Sequence, residues 1–357
     1  MIVLKACPAC EVPDYISKEH LWLNNGDIVQ AREPWHRLLF FESESLQPFF
    51  HDIEKIFGVS VDGMVITAMR EAISQYLRLL IPHEIQELIQ EKRIDPRPLG
   101  TVTADIAKLA GFGNYEVVGA RYEQDENDFV TMRITNPAFL NMAIASLAAS
   151  AEVLHGVSQE ITCKEVAPGS FEITVFPSPQ PREAGEVISL RPYHHLDGGL
   201  EMERCAICGA PEALMEYRWN LEGGIILHRN SGRRMCFISP QILEPIFERL
   251  MEEFGESVTK AVVETQRRLT KSGFYFMPHP ADSEDLRRLL ALRGLGNLKE
   301  MELTGEGMRL RVDNAALPII IVGLFQGFFE MANNVESRVD WELSPDGALE
   351  VEVTLKP

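Results

Sequence analysis

The sequence predicts an α+β protein made of two tandem copies. Each copy is a helical layer on a four-stranded antiparallel sheet, opened by an N-terminal C-x-x-C β-hairpin. Three observations predict this. Trp22–Gly58 falls on Trp219–Gly255 without a gap: Trp22 meets Trp219, Gly26 meets Gly223, Ile28 meets Ile225, and Phe57-Gly58 meets Phe254-Gly255. Two C-x-x-C pairs, Cys7/Cys10 and Cys205/Cys208, precede the matched stretches. Behind them the hydrophobic period changes in the same order in both copies. A repeat this long is a whole domain used twice and not a solenoid unit. The expected division is 1–176 (hairpin 1–43, domain 44–176), a Pro/Gly-rich linker 177–200, and 201–357 (hairpin 201–240, domain 241–357), the halves pairing face to face as a pseudo-dimer within one chain.

In copy one, His20–Leu23 and Asp27–Arg32 flank Asn24-Asn25-Gly26, a hairpin turn signal, and Arg37–Phe41 adds a short strand. Leu46, Phe49, Phe50, Ile53 and Phe57 recur at three and four, which predicts a helix ended by Gly58 with Pro48 in its first turn. A longer helix spans about Val61–Leu80 until Pro82, with further helical segments at His83–Arg93 and Thr101–Leu109. Strands Tyr115–Tyr122 and Phe129–Thr135 follow. Asn136-Pro137 has the chemistry of an N-cap and first helical residue, so a helix should run to about His155, then strands Gln159–Glu165 and Ser170–Phe176. Copy two predicts helices Leu243–Phe254, Ser257–Ser272 and Asp282–Ala291, strands Leu298–Leu303 and Met308–Val312, helix Ala315–Asn333, and strands Glu336–Leu343 and Leu349–Leu355.

The chain has 357 residues, 45% hydrophobic and 24% charged, enough for two ordinary cores. Its net charge of −19 repels phosphate backbones and anionic headgroups, so nucleic acid and membrane surfaces are disfavoured partners. The most apolar stretch, Ala315–Phe329, carries Pro318 and Gln326 and falls short of the roughly 20 residues a bilayer span needs. The N-terminal residues lack the order of a signal peptide, and the expected location is cytoplasmic.

Asn314-Ala-Ala-Leu-Pro-Ile-Ile-Ile-Val-Gly-Leu-Phe-Gln-Gly-Phe-Phe-Glu330, followed by Val339-Asp-Trp-Glu-Leu-Ser-Pro-Asp-Gly-Ala-Leu-Glu-Val-Glu-Val353, resembles one ligand-binding fold. That fold is shared by 4-vinyl-reductase-type domains, haem-NO-binding domains and small subunits of transport-particle (TRAPP) complexes. The resemblance covers roughly 44–176 and 241–355. It implies a module that senses or carries a small apolar ligand or contacts a protein partner. It also implies two alternatives: an enzyme or accessory factor of tetrapyrrole metabolism, and a scaffold for a small GTPase. Two departures stand out. The terminal hairpin of some relatives holds a zinc-binding cysteine cluster, where this chain has only Cys163, with Trp341 as its counterpart. A haem relative needs an axial histidine, but His51 is matched by Glu248 and His155 by Asn333, which argues against haem.

The C-x-x-C pairs are the strongest chemical signal. Without a secretory context they read as metal or redox sites. A closed zinc site wants four ligands, and each copy supplies two. Either Cys7, Cys10, Cys205 and Cys208 meet in one structural Cys₄ zinc site, or each pair recruits others, such as His194 and His195. An iron–sulfur cluster and a redox dithiol are the competing readings. Arg32, Arg37, Arg229 and Arg234 recur in register as a clamp, either for an anionic ligand or for pinning the hairpin to the first helix. Glu152 and Glu330 recur on apolar helices and should find an arginine or backbone donor, while Cys163 and Cys236 read as core. The helical Met and Phe residues read more simply as core than as a ligand-cavity wall. No nucleotide loop, nucleophile elbow or H-E-x-x-H is present, so the reading leans away from an enzyme.

Overall fold

The computed structural model describes residues 5–123, 125–179, 193, 195–275 and 283–356. In the first half, α1 (Asp14–Glu19) leads to β1 (His20–Trp22), β2 (Ile28–Gln30) and β3 (Arg37–Glu42). Helices α2 (Leu46–Phe57), α3 (Asp62–Leu80), α4 (His83–Gln90) and α5 (Arg97–Leu109) follow, then β4 (Asn114–Arg121), β5 (Phe129–Thr135), α6 (Leu140–His155), β6 (Gln159–Ala167) and β7 (Ser170–Pro177). From its hairpin on, the second half follows the same order, with three helices in place of four among the described residues: β8 (Tyr217–Asn220), β9 (Ile225–His228), β10 (Arg234–Ile238), α7 (Pro240–Phe254), α8 (Ser257–Lys271), α9 (Ser283–Leu292), β11 (Asn297–Leu303), β12 (Gly307–Asp313), α10 (Pro318–Asn333), β13 (Ser337–Leu343) and β14 (Leu349–Leu355). The fold is α+β, with antiparallel sheets ordered β4-β5-β7-β6 and β11-β12-β14-β13.

The two hairpins do not stand apart. They merge into one six-stranded sheet, β1-β2-β3-β10-β9-β8, closed in the middle by antiparallel β3 and β10. At that seam Phe40 pairs with Phe237, its own counterpart in the repeat. The gapless alignment breaks locally inside the hairpins. Trp22 faces Ile28 whereas Trp219 faces Ile226, so the second turn holds one extra residue and the next loop one fewer. The buried isoleucine of each β-ladder is thereby kept opposite its tryptophan.

Three helix starts differ from expectation for local reasons. Asn136 is not an N-cap: it has φ +52°, as Asn314 has φ +54°, whereas an N-cap sits in the extended region. Helix α6 therefore starts at Leu140 and α10 at Pro318. Helix α7 starts earlier than the pattern suggested, at Pro240, because Ser239 caps it by accepting from the Gln241 N–H at 3.1 Å. Pro245, aligned with the first-turn Pro48, consequently lies inside a helix.

The largest apolar cluster runs across both halves. It joins Phe49, Phe50 and Ile53 of α2 and Met69 of α3 to Phe247 of α7, Val262 of α8, Phe325 of α10 and Val351 of β14. Phe57 and Phe254, equivalent residues, stack on each other at 4.4 Å. A second cluster lies under the hairpin sheet and includes Trp22, Phe40, Tyr217, Phe237 and the paired cysteines. Among the described residues no helix is long and apolar enough to cross a membrane.

Candidate metal centre

Each C-x-x-C segment folds into the same tight knuckle. Ala6 bridges Pro13 in the first and Arg204 bridges Pro211 in the second. Within each turn, the Glu11 N–H donates to the Cys7 carbonyl and the Gly209 N–H to the Cys205 carbonyl, both at 2.9 Å. The residue after the second cysteine must be left-handed to close this turn. Gly209 adopts φ +75° without steric cost, while Glu11 adopts φ +60° against the usual preference of a side-chain-bearing residue.

Continuity of β3 with β10 brings the two knuckles together although they lie 198 residues apart in sequence. The four sulfurs lie within 4.8 Å of one another, with Cys7 Sγ at 3.8 Å from Cys205 Sγ and Cys10 Sγ at 3.4 Å from Cys208 Sγ. A tetrahedral ion with metal–sulfur bonds of about 2.3 Å sets its sulfurs about 3.8 Å apart, so the cluster is close enough to hold one metal ion. Cys7, Cys10 and Cys205 are buried and Cys208 is half-buried. Burial raises the Cys10 and Cys208 thiols. Backbone N–H groups of Cys208 and Ile207 donate to Cys205 and bring it down to about 7. His195 is not near ligation: its Nδ1 lies 2.6 Å from the Asp27 carboxylate. His194 lies outside the described residues.

The recurrent arginines have two different placements. Arg37 and Arg234 reach into the opposite half and grip its backbone. Arg37 donates to the carbonyls of Gly294, at 3.1 Å, and Asn314. Arg234 donates to those of Gly111, at 3.2 Å, and Asn136, at 2.6 Å. These are equivalent carbonyls of the two copies, the asparagines being the left-handed residues noted above. Arg32 instead pairs with Glu19 at 2.9 Å on the surface, and Arg229 with Glu11. Arg37 and Arg234 thus hold one half to the other through groups that are invisible to sequence, since every residue has a carbonyl.

Other exchanges run the same way. The Phe40 N–H donates to the Arg293 carbonyl at 2.9 Å, and the Phe237 N–H to the Ala110 carbonyl at 2.8 Å. Gly294 and Gly111 sit where a Cβ would strike the Leu38 and Met235 carbonyls of the opposite hairpin, and both have positive φ. Each hairpin is therefore seated on the other half's domain.

Glu152 is held by Arg70, and Glu330 by Arg267, Lys271 and the Ser337 N–H, which makes both carboxylates structural. Cys236 is fully buried, whereas Cys163 is exposed on an edge strand and does not belong to the core. Phe49, Phe50, Phe247, Tyr275 and Gln266 surround a cavity of about 20 Å³, room for about one water molecule.

No protein-family model matches this chain, and no curated protein matches it. Among solved structures, a Cs H-NOX mutant carrying 4-cyano-L-phenylalanine is 14% identical over 34% of this chain and 75% of that one, with a TM-score of 0.26. A point mutant of T. tengcongensis H-NOX is likewise 14% identical over 34% and 75%, with a TM-score of 0.25.

Proposed function

We propose that Cys7, Cys10, Cys205 and Cys208 bind a single zinc ion shared by the two halves, in an internally duplicated, non-catalytic module for regulatory interaction. The halves, 1–176 and 201–357 joined by 177–200, pair about an approximate twofold axis. The observation that carries this reading is the convergence of four sulfurs from two distant knuckles to within 4.8 Å. Zinc suits an all-thiolate tetrahedral set without needing redox chemistry. A metal held by both knuckles closes a long loop, so its binding energy becomes stability of the paired fold. Four thiolates fit a reducing compartment such as the cytoplasm. Carriage of a small apolar ligand would require the core cavity to open, since a drug-sized site needs about 300 Å³ or more.

Elemental analysis of anaerobically purified protein tests the reading. One zinc per chain is expected. Two zincs per chain would replace the shared site with separate ones. Iron and a brown colour would favour a redox centre, and metal-free protein with titratable thiols would remove the metal altogether.

A further inference from the structure

We propose that the four-cysteine cluster is also a site of oxidative modification: a hydroperoxide converts it into disulfides that cross between the halves and release the metal. The released ion rests on the zinc reading; the cross-links rest on the sulfur positions alone.

The close sulfur approaches at 3.4 and 3.8 Å both join one half to the other, Cys10 to Cys208 and Cys7 to Cys205. A disulfide bond is about 2.05 Å long, so Cys10 and Cys208 need a closure of only about 1.4 Å. Cys208 is the half-buried member beside three buried partners, so an oxidant arriving from solvent meets it first. Knuckle tips Pro8-Ala9 and Ala206-Ile207 are exposed and carry no charged side chain to bar a neutral peroxide.

The chemistry balances in two rounds. The Cys208 thiolate attacks one peroxide oxygen, the O–O bond breaks, and sulfenic acid and hydroxide form. The Cys10 thiolate then attacks the Cys208 sulfur; the S–S bond forms as the S–O bond breaks, and a second hydroxide leaves. A second peroxide does the same with Cys7 and Cys205. Four thiolates lose four electrons, two peroxides gain them, and the zinc departs still divalent because no thiolate remains to hold it. The cross-half bonds take over the metal's place as staple, so the ion is freed while the halves stay joined.

The test uses the full-length, zinc-loaded chain and hydrogen peroxide as the probe, with free zinc followed by a chromogenic chelator. The product is digested with trypsin without reduction and weighed. Residues 6–18 contain Cys7 and Cys10, and residues 205–218 contain Cys205 and Cys208. The expected result is loss of the zinc at about two peroxides per ion, with the two peptides recovered as one linked species lighter by four hydrogens. Peptides recovered separately, each lighter by two hydrogens, would mean disulfides inside the knuckles and would overturn the proposal. Sulfinic acids, or zinc retained against peroxide, would overturn it too. If the purified protein holds no metal, the zinc reading fails on its own, and the same digestion of the metal-free protein still decides the cross-link: linked peptides uphold it and separate ones reject it.

Discussion

The two places where a hairpin meets the opposite half share a backbone plan but differ in charge. Where the first hairpin docks, Arg37 pairs with Asp27 at 2.6 Å with both side chains buried, and Asp27 also meets His195 and Asn25. Glu42 and Arg293 form a second buried pair there, with burial raising the Glu42 carboxyl. The Trp22 indole N–H donates to the Leu292 carbonyl at 2.9 Å. Where the second hairpin docks, Gly224 stands near the Asp27 position, and Ser239 and Ala110 replace Glu42 and Arg293. Arg234 has no carboxylate within ion-pair distance among the described residues, and burial lowers its guanidinium. Among the described residues the buried Trp219 indole N–H has no partner. The carbonyl grips and the glycine contacts are present on both sides, while these buried ion pairs lie where the first hairpin docks.

The largest expected difference follows from removing the arginines. Arg37→Ala strands a buried Asp27 and should cost about 3–5 kcal/mol. Arg234→Ala loses bonds to neutral carbonyls and should cost about 1–3 kcal/mol. Urea unfolding at pH 7 with fixed metal measures both, and equal losses would show that Asp27 adds nothing. Gly111→Ala and Gly294→Ala should be costly alike, about 2–4 kcal/mol, since each adds a left-handed side chain pressed on a carbonyl. A mild effect at only one of them would mean that the two seats differ in backbone as well as charge.

Acid should loosen the first seat before the second. Burial lowers His20 to about 4 and His36 to about 3, from 6.5. The unfolded chain therefore takes up protons that the folded chain refuses. Stability is complete above about pH 6.5 and falls as pH drops toward 4, by at most about 1.4 kcal/mol per pH unit for each group. Tyr217 and Arg233 occupy the matching positions in the second copy. Hydrogen exchange at pH 5 should show β1–β3 amides opening faster than those of β8–β10, and uniform opening would contradict this. The smallest contrast is between the tryptophans. Trp22→Phe should cost about 1 kcal/mol for a lost hydrogen bond, whereas Trp219→Phe should be neutral or slightly stabilising by thermal melting.

Much of this was legible in the sequence. Element order survives because helix and strand periods are local, and the four cysteines stood out because C-x-x-C has few other uses. Recurrence at Arg37 and Arg234 marked them as important but could not name their partners, which are main-chain carbonyls. Nor could the alignment say which copy each hairpin packs on, since exchanged and unexchanged seating bury the same residues. Asn136, left-handed in the structure, was misread as a helix cap because Asn-Pro is also the chemistry of an N-cap followed by a first helical residue. The one-residue shift between the hairpins stayed hidden behind a gapless match, for its insertion and deletion cancel within a dozen residues.

The claim beneath all of this is that one metal is held by both halves at once. Native mass spectrometry of the wild-type chain beside Cys10→Ser and Cys208→Ser tests it most directly. The account predicts one metal mass on the wild type, lost on denaturation, and the same weakened retention in both variants. Two metals on the wild type, or a variant that keeps its metal while the other loses it, would contradict a shared centre.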